Sequence, residues 1–257
     1  MTHSSNLRNK IALVAFAGLI GAAAFAGAVI DNFSKTNLPN SWTAFASGGA
    51  TLERSEGRLW FGVAAPADPT LPTEDAFGGY RAKSAKLDFS KTFNAAYRYS
   101  LGPTVAGGSE EFGAALFFAW PAGDDDLPGD DSDILNGITF GTARTADGCA
   151  LVVTTWLDGV ELGTQTYPGI PPAGLLKVMY KANRNEVRVM VNGVTLATYS
   201  NFRGAMRDAL MLPPGTGRYA DFGVVAAASA PLEPVAVERA FWLDNLQFNG
   251  AGVKRQR

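Results

Sequence analysis

Two dipeptides, Asp158-Gly159 and Asn192-Gly193, constrain the fold of this chain more than any other feature. Each lies between two alternating segments: CALVVTTWL and VELGTQTY around the first, EVRVMV and VTLATY around the second. Asp-Gly and Asn-Gly favour the type I′ turn, whose two central residues need positive φ. Such a turn joins antiparallel neighbours and sets their register. Val191 then faces Val194, Val189 faces Leu196 and Val187 faces Thr198, which makes one apolar face. By the same count Leu157 faces Val160 and Thr155 faces Leu162, and Trp156 points to the other side. The strings DGVELGT and NGVTLAT are alike because two hairpins solve one turn problem.

The same short alternating segments fill the rest of the chain. Residues 50–63 read as two strands around Ser55-Glu56-Gly57, and residues 79–102 as two more with a break at 88–94. Residues 111–120, EFGAALFFAW, read as a buried strand; 137–145, 149–157, 218–230 and 239–248 are further strands. Asn201–Leu212 is the one helical candidate, stopped by Pro213-Pro214. Roughly twelve strands at this spacing predict an all-β sandwich or barrel. No linker-like run divides it, so 29–250 reads as one domain and 251–257 as a disordered tail.

The N-terminus reads as a leader. Residues 1–10 carry Arg8 and Lys10 and no acid, and residues 11–30 are uncharged and apolar. Ala26-Gly27-Ala28 fits a small-x-small cleavage site, which makes 1–28 a secretory signal peptide and the product secreted or periplasmic. The alternative is an uncleaved membrane anchor, since about 20 apolar residues can span a bilayer. After cleavage no membrane association is expected. Loss of the leader takes the formal net charge from -2 to -4. No basic stripe appears, so nucleic acid is not an expected partner.

Two counts exclude much chemistry. His3 is the only histidine and falls in the leader, so the mature chain has no Ser-His-Asp triad, Cys-His dyad or His-ligated zinc. Cys149 is the only cysteine, so no intrachain disulfide forms; it reads as a small buried hydrophobe with no basic neighbour evident.

The order of several segments carries a resemblance. DNFS (31–34), SWTAF (41–45) and EGRLWFGV (56–63) come first. LLKVMYKANRNEVRVMVNGVTLATY (175–199) and a closing FWLDNLQF (241–248) follow. This order resembles the concanavalin A-like lectin/glucanase superfamily, including laminin-G-like secreted bacterial modules. The resemblance covers most of 31–250 and implies a two-sheet antiparallel jelly-roll sandwich with one concave sheet. It implies no single activity, because the fold hosts lectins, hydrolases, lyases and adhesion modules. Laminarinase-like members carry a Glu-x-Asp-x-x-Glu strand. Of the nine glutamates here only Glu233 and Glu238 have the outer spacing, with Val235 where Asp is needed and Pro234 awkward in a central strand. The alginate-lyase motifs of this fold are also missing.

Two features stand out as candidate sites. GDDDLPGDDSD (123–133) packs six carboxylates into eleven residues. A hard cation would relieve their repulsion, which makes Asp124, Asp126, Asp130, Asp131 and Asp133 candidate Ca2+ ligands. The alternative is a solvated acidic loop. Among the tryptophans, Trp42, Trp60 and Trp242 sit among apolar neighbours and are expected in the core. Trp120 and Trp156 are the candidates for stacking on sugar rings. The expectation is an exported, non-catalytic glycan-binding or adhesion module whose partner is a polysaccharide or cell-surface glycan. The alternatives are a diverged carboxylate-dependent polysaccharide hydrolase or lyase, and a structural cell-envelope protein.

Overall fold

A computed structural model describes residues 28–64, 75–102, 111–120, 136–145, 147–229 and 237–255. The expected signal peptide, apart from Ala28, and the acidic segment lie outside these residues. The strands are β1 (Val29–Asp31), β2 (Trp42–Ser47), β3 (Ala50–Ser55), β4 (Arg58–Val63), β5 (Ala76–Ala82) and β6 (Ala85–Asp88). They continue with β7 (Phe93–Ser100), β8 (Phe112–Ala119), β9 (Gly137–Thr145), β10 (Gly148–Leu157), β11 (Val160–Pro168) and β12 (Ala173–Lys181). The last are β13 (Glu186–Val191), β14 (Val194–Tyr199), β15 (Tyr219–Ala228), β16 (Val237–Asn249) and β17 (Val253–Arg255), with one α-helix among the described residues, α1 (Phe202–Ala209).

All pairings are antiparallel. One sheet runs β14-β13-β12-β7-β16-β4-β3 with β1 beside β16; the other runs β11-β10-β9-β8-β15-β5-β2 with β6 beside β15 and β17 beside β6. The two sheets face each other across one apolar core, and every second residue points into it. Phe112, Ala114, Leu116 and Phe118 from β8 do so, as do Phe222, Val224 and Ala226 from β15. The opposing face supplies Tyr97, Tyr99, Val178, Tyr180, Val187 and Val189. Phe202 of α1 closes one end of the core, stacked on Phe89 with ring centroids 5.8 Å apart. The Tyr97 hydroxyl is buried between the sheets, where it donates to Ala114 O and meets Thr142 Oγ1 at 3.1 Å. Burial raises its pKa above the ordinary tyrosine range.

Both hairpin turns form as the dipeptides demand. Asp158 and Asn192 sit at φ 49° and 50°, followed by Gly159 and Gly193 at 75° and 82°. The first pair in each hairpin is as expected, Leu157 with Val160 and Val191 with Val194. Beyond it the register slips by one. Thr155 faces Gly163, Val189 faces Ala197 and Val187 faces Tyr199. Leu162 and Leu196 are the inserted residues, at the same offset from the turn in both strings. A β-bulge at that point adds twist and carries the returning strand along its neighbour.

Both ends of the described residues are tied in. Arg54 points inward from β3, donates to Asp31 Oδ2 at 2.6 Å and to Lys35 O at 2.9 Å, and lies 5.0 Å from the Phe33 ring centroid. The expected disordered tail is corrected in part: Val253–Arg255 form β17, paired with β6. Lys254 Nζ lies 2.9 Å from Asp88 Oδ2, and Arg255 donates to Ala28 O at 3.0 Å. A buried carboxylate at the end of β6 is what holds the tail.

Candidate functional site

The expected calcium ligands Asp124, Asp126, Asp130, Asp131 and Asp133 lie outside the described residues. Among the described residues no three His, Cys, Asp or Glu side chains gather in a way that could hold a metal ion.

Trp120 is not available to a sugar. It is 3% exposed, packs on Phe89 with centroids 5.3 Å apart, and donates from Nε1 to Gly217 O at 3.2 Å. Its place follows from alternation, since Phe112, Ala114, Leu116, Phe118 and Trp120 share the core side of β8. Trp42 is in the core as expected. Trp60 and Trp242 are not. They pair directly across β4 and β16, on the outer face of the eight-stranded sheet, while Leu59, Phe61, Phe241 and Leu243 point inward. Arg58 lies 4.3 Å from the Trp242 ring centroid and Arg239 lies 5.2 Å from that of Trp60. Arg239 in turn binds Glu53 and Glu56. The Glu53 carboxyl is lowered to about 2, first by the hydrogen bond from Arg239 and then by that from Ser55.

Trp156 lies on the outer face of the nine-stranded sheet and is half-buried. Cross-strand partners point to the same side of a sheet, so the pairings map this face. One row runs Glu161, Trp156, Gly137, Ala119, Asp221. The next runs Thr164, Thr154, Thr139, Phe117, Gly223, Arg81. A third runs Thr166, Val152, Gly141, Ala115, Val225, Gly79, Phe45. Glycine and alanine dominate the middle of the first and third rows. Phe117 lies flat over Gly223, where an added Cβ would sit 2.7 Å from its ring and 2.0 Å from Tyr80 O. In the first row the span between Trp156 and Asp221 holds only Gly137 and Ala119, both buried. It is three strand spacings wide, about 14 Å.

The far end of that row is ionic. Asp221 is 3% exposed, with Arg81 at 2.5 Å and Lys86 at 3.1 Å from its oxygens. Two residues along, Asp88 on β6 accepts from Arg218 at 3.0 Å and from Ser90 Oγ at 2.6 Å, and pairs with Lys254. Burial works to raise the Asp88 pKa. The hydrogen bonds from Arg218, Ser90 and Lys254 outweigh it and hold the carboxyl well below the usual range. Glu161 stands at the opposite edge, four strand spacings or about 19 Å from Asp221. A glycosidase needs a protonated acid within about 5 to 9.5 Å of a second carboxylate. Among the described carboxylates of this face, the two near each other are each clamped by two cations, and the third is too far away.

Sequence reasoning missed Asp221, Arg81 and Lys86, because Asp221 meets Arg81 across 140 residues of chain. It also missed that Arg144 stands directly opposite Cys149 across β9 and β10.

No protein-family model matches the sequence, and no curated protein matches it. Solved structures do. The Emp47p carbohydrate recognition domain aligns with 17% identity and a TM-score of 0.53, over 88% of this chain and 96% of that one. An endo-1,3-β-glucanase from Streptomyces sioyaensis aligns with 9% identity and a TM-score of 0.58, over 90% of this chain and 98% of that one. Taken with the two antiparallel sheets and their order, these alignments give this chain the concanavalin A-like lectin/glucanase fold.

Proposed function

We propose that this protein is an exported, non-catalytic glycan-binding module, with the outer face of its nine-stranded sheet as the binding surface. The observation that carries the reading is the row from Trp156 to Asp221. An aromatic side chain stands at one end and a charged, hydrogen-bonding cluster at the other. Between them the row carries only the small residues Gly137 and Ala119, both buried. A sugar ring needs an apolar face to stack on and polar groups around its rim, and this row offers both. The carbohydrate recognition domain among the structural neighbours supports the same reading. The clamped carboxylates speak against the hydrolase alternative.

A calcium ion at 123–133 belongs to the proposal as a stabilising ligand of the acidic segment. The test is a glycan array probed with the protein in calcium and in chelator, beside the Trp156→Ala variant. Binding that is lost in Trp156→Ala is expected. Loss on chelation would add calcium to the site. A blank array in both buffers overturns glycan binding for the glycans displayed. It would favour the structural cell-envelope alternative, which the apolar third row of the face supports.

A further inference from the structure

Between β1 and β2 the chain crosses from one sheet to the other, and this crossover lies against the side chain of Arg54. Together they line an open cleft of about 510 Å3, a size usual for small-molecule sites. Its wall holds a buried ion pair. The side chains of Arg54 and Asp31 are 4% and 3% exposed, and the guanidinium reaches both carboxylate oxygens, at 2.6 and 2.8 Å. The Phe33 N–H donates to the same carboxylate at 2.8 Å, so the charge of Asp31 is neutralised within the wall. Phe33 sits at φ 52°, in the left-handed region that an aromatic residue avoids. Strain of this kind persists only where the surroundings hold it, and it gathers at ligand clamps. The rest of the lining includes polar groups with nothing to hold. Among the described residues, the Lys35 ammonium and the Asn37 and Asn40 carboxamides have no hydrogen-bond or ion-pair partner. A tie for the crossover needs only Asp31, Arg54 and the Lys35 carbonyl. It does not need three unpartnered polar side chains around a cleft.

We propose that this cleft binds a small hydroxyl-rich carboxylate, a sugar acid, at a site separate from the face that carries Trp156. Charge sets the carboxylate. The lining holds two cations, Lys35 and Arg54, and one anion, Asp31. Arg54 neutralises Asp31, which leaves the Lys35 ammonium to pair with a single negative charge. The side chains of Asn32, Asn37, Asn40 and Ser34 set the hydroxyls. Each of them both donates and accepts, as a sugar hydroxyl does, whereas a bare oxyanion would use donors only. Leu38 and Pro39 add an apolar patch to the lining, suited to the C–H face of a sugar ring. The shared chemistry is one carboxylate on a polyhydroxylated ring, free or at the end of a chain.

Amide NMR of the isotope-labelled protein tests this, by titration with glucuronate, glucose and acetate. Glucuronate is expected to shift the amides of residues 31–40 saturably. Glucose lacks the charge and acetate lacks the hydroxyls, so each should bind at least about tenfold more weakly. Lys35 and Asn37 are exposed, so Lys35→Gln and Asn37→Ala should keep the wild-type melting temperature. Each should nonetheless weaken glucuronate binding, Lys35→Gln at least about tenfold. Trp156→Ala should leave these shifts unchanged. A blank glycan array beside intact glucuronate shifts therefore removes the sheet-face reading alone. Retained binding of the methyl glycoside of glucuronate identifies the ligand as a chain end, and lost binding identifies the free acid; both support the site. No saturable shift at 31–40 with glucuronate up to about 20 mM overturns the proposal. So does glucose or acetate binding as tightly as glucuronate, or binding that is unchanged in both folded variants.

Discussion

The outer faces of the two sheets use tryptophan in opposite ways. On the eight-stranded sheet Trp60 and Trp242 meet across β4 and β16 with ring centroids 6.5 Å apart, and Arg58 and Arg239 lie over them. On the nine-stranded sheet Trp156 has Gly137 as its cross-strand neighbour, and among the described residues no cation lies over its ring. Cation–π contacts already use the Trp60 and Trp242 faces, so those rings serve the sheet. The glycine and alanine row does the reverse: it sets no large side chain next to Trp156 on the β9 and β8 side. Aromatic residues outside a core are therefore poor evidence for a ligand until their neighbours are known.

The largest effect should come from filling the floor. Gly137→Ala puts a methyl group 2.1 Å from Phe118 O, and backbone on either strand must move. Overpacking of this kind costs about 3 kcal/mol. In urea the midpoint should fall with the m-value unchanged. A neutral result would mean the floor is not close-packed, and the contrast between the faces would lose its basis.

The two tryptophan classes can then be separated by one pair of variants. Trp60→Ala should cost about 2 kcal/mol of stability, less than a fully buried ring, and leave glycan binding unchanged. Trp156→Ala should cost under about 1 kcal/mol of stability but reduce glycan affinity at least tenfold, about 1.4 kcal/mol. Calorimetric titration with an array-positive glycan, beside thermal melts, reads both quantities. The opposite assignment, with binding lost in Trp60→Ala, would move the site to the other sheet.

The smallest effect is electrostatic. Glu53 is held at about 2 by Arg239 and Ser55, against an ordinary value of 4.5. A lowered carboxylate contributes stability that is present above the ordinary value and is lost as pH falls towards about 2. NMR titration should show Glu53 still ionised at pH 3 and returning to the ordinary glutamate range in Arg239→Ala. If Glu53 titrates normally in the wild type, the arginine over Trp60 is not anchored, and the capping of that face is weaker than its geometry implies.

Much of the fold was legible before the structure. Asp158-Gly159 and Asn192-Gly193 form the expected turns, and α1 begins within the expected helical segment. The bulges at Leu162 and Leu196 were not legible, since a bulge answers to the twist of the whole sheet. Trp120 could have been placed, because it shares the parity of Phe118 and Leu116 on one strand. Trp60 was harder: Leu59, Trp60 and Phe61 form an unbroken apolar run, in which alternation gives no preference. The stack of Phe61 on Phe241, with centroids 5.0 Å apart, decides which of them turns inward. At the candidate site only Trp156 was visible; Asp221, Arg81 and Lys86 converge from three strands.

The sequence alone determined what depends on near neighbours in the chain. Turns that need positive φ and strands that alternate are set within a few residues. The tertiary structure decided which side of each strand is covered, which charges neutralise one another and where small residues line up across strands. Those properties belong to pairs of strands brought together from distant parts of the chain. Backbone hydrogen bonds align them at about 4.8 Å, and no local pattern records which strand will be the neighbour.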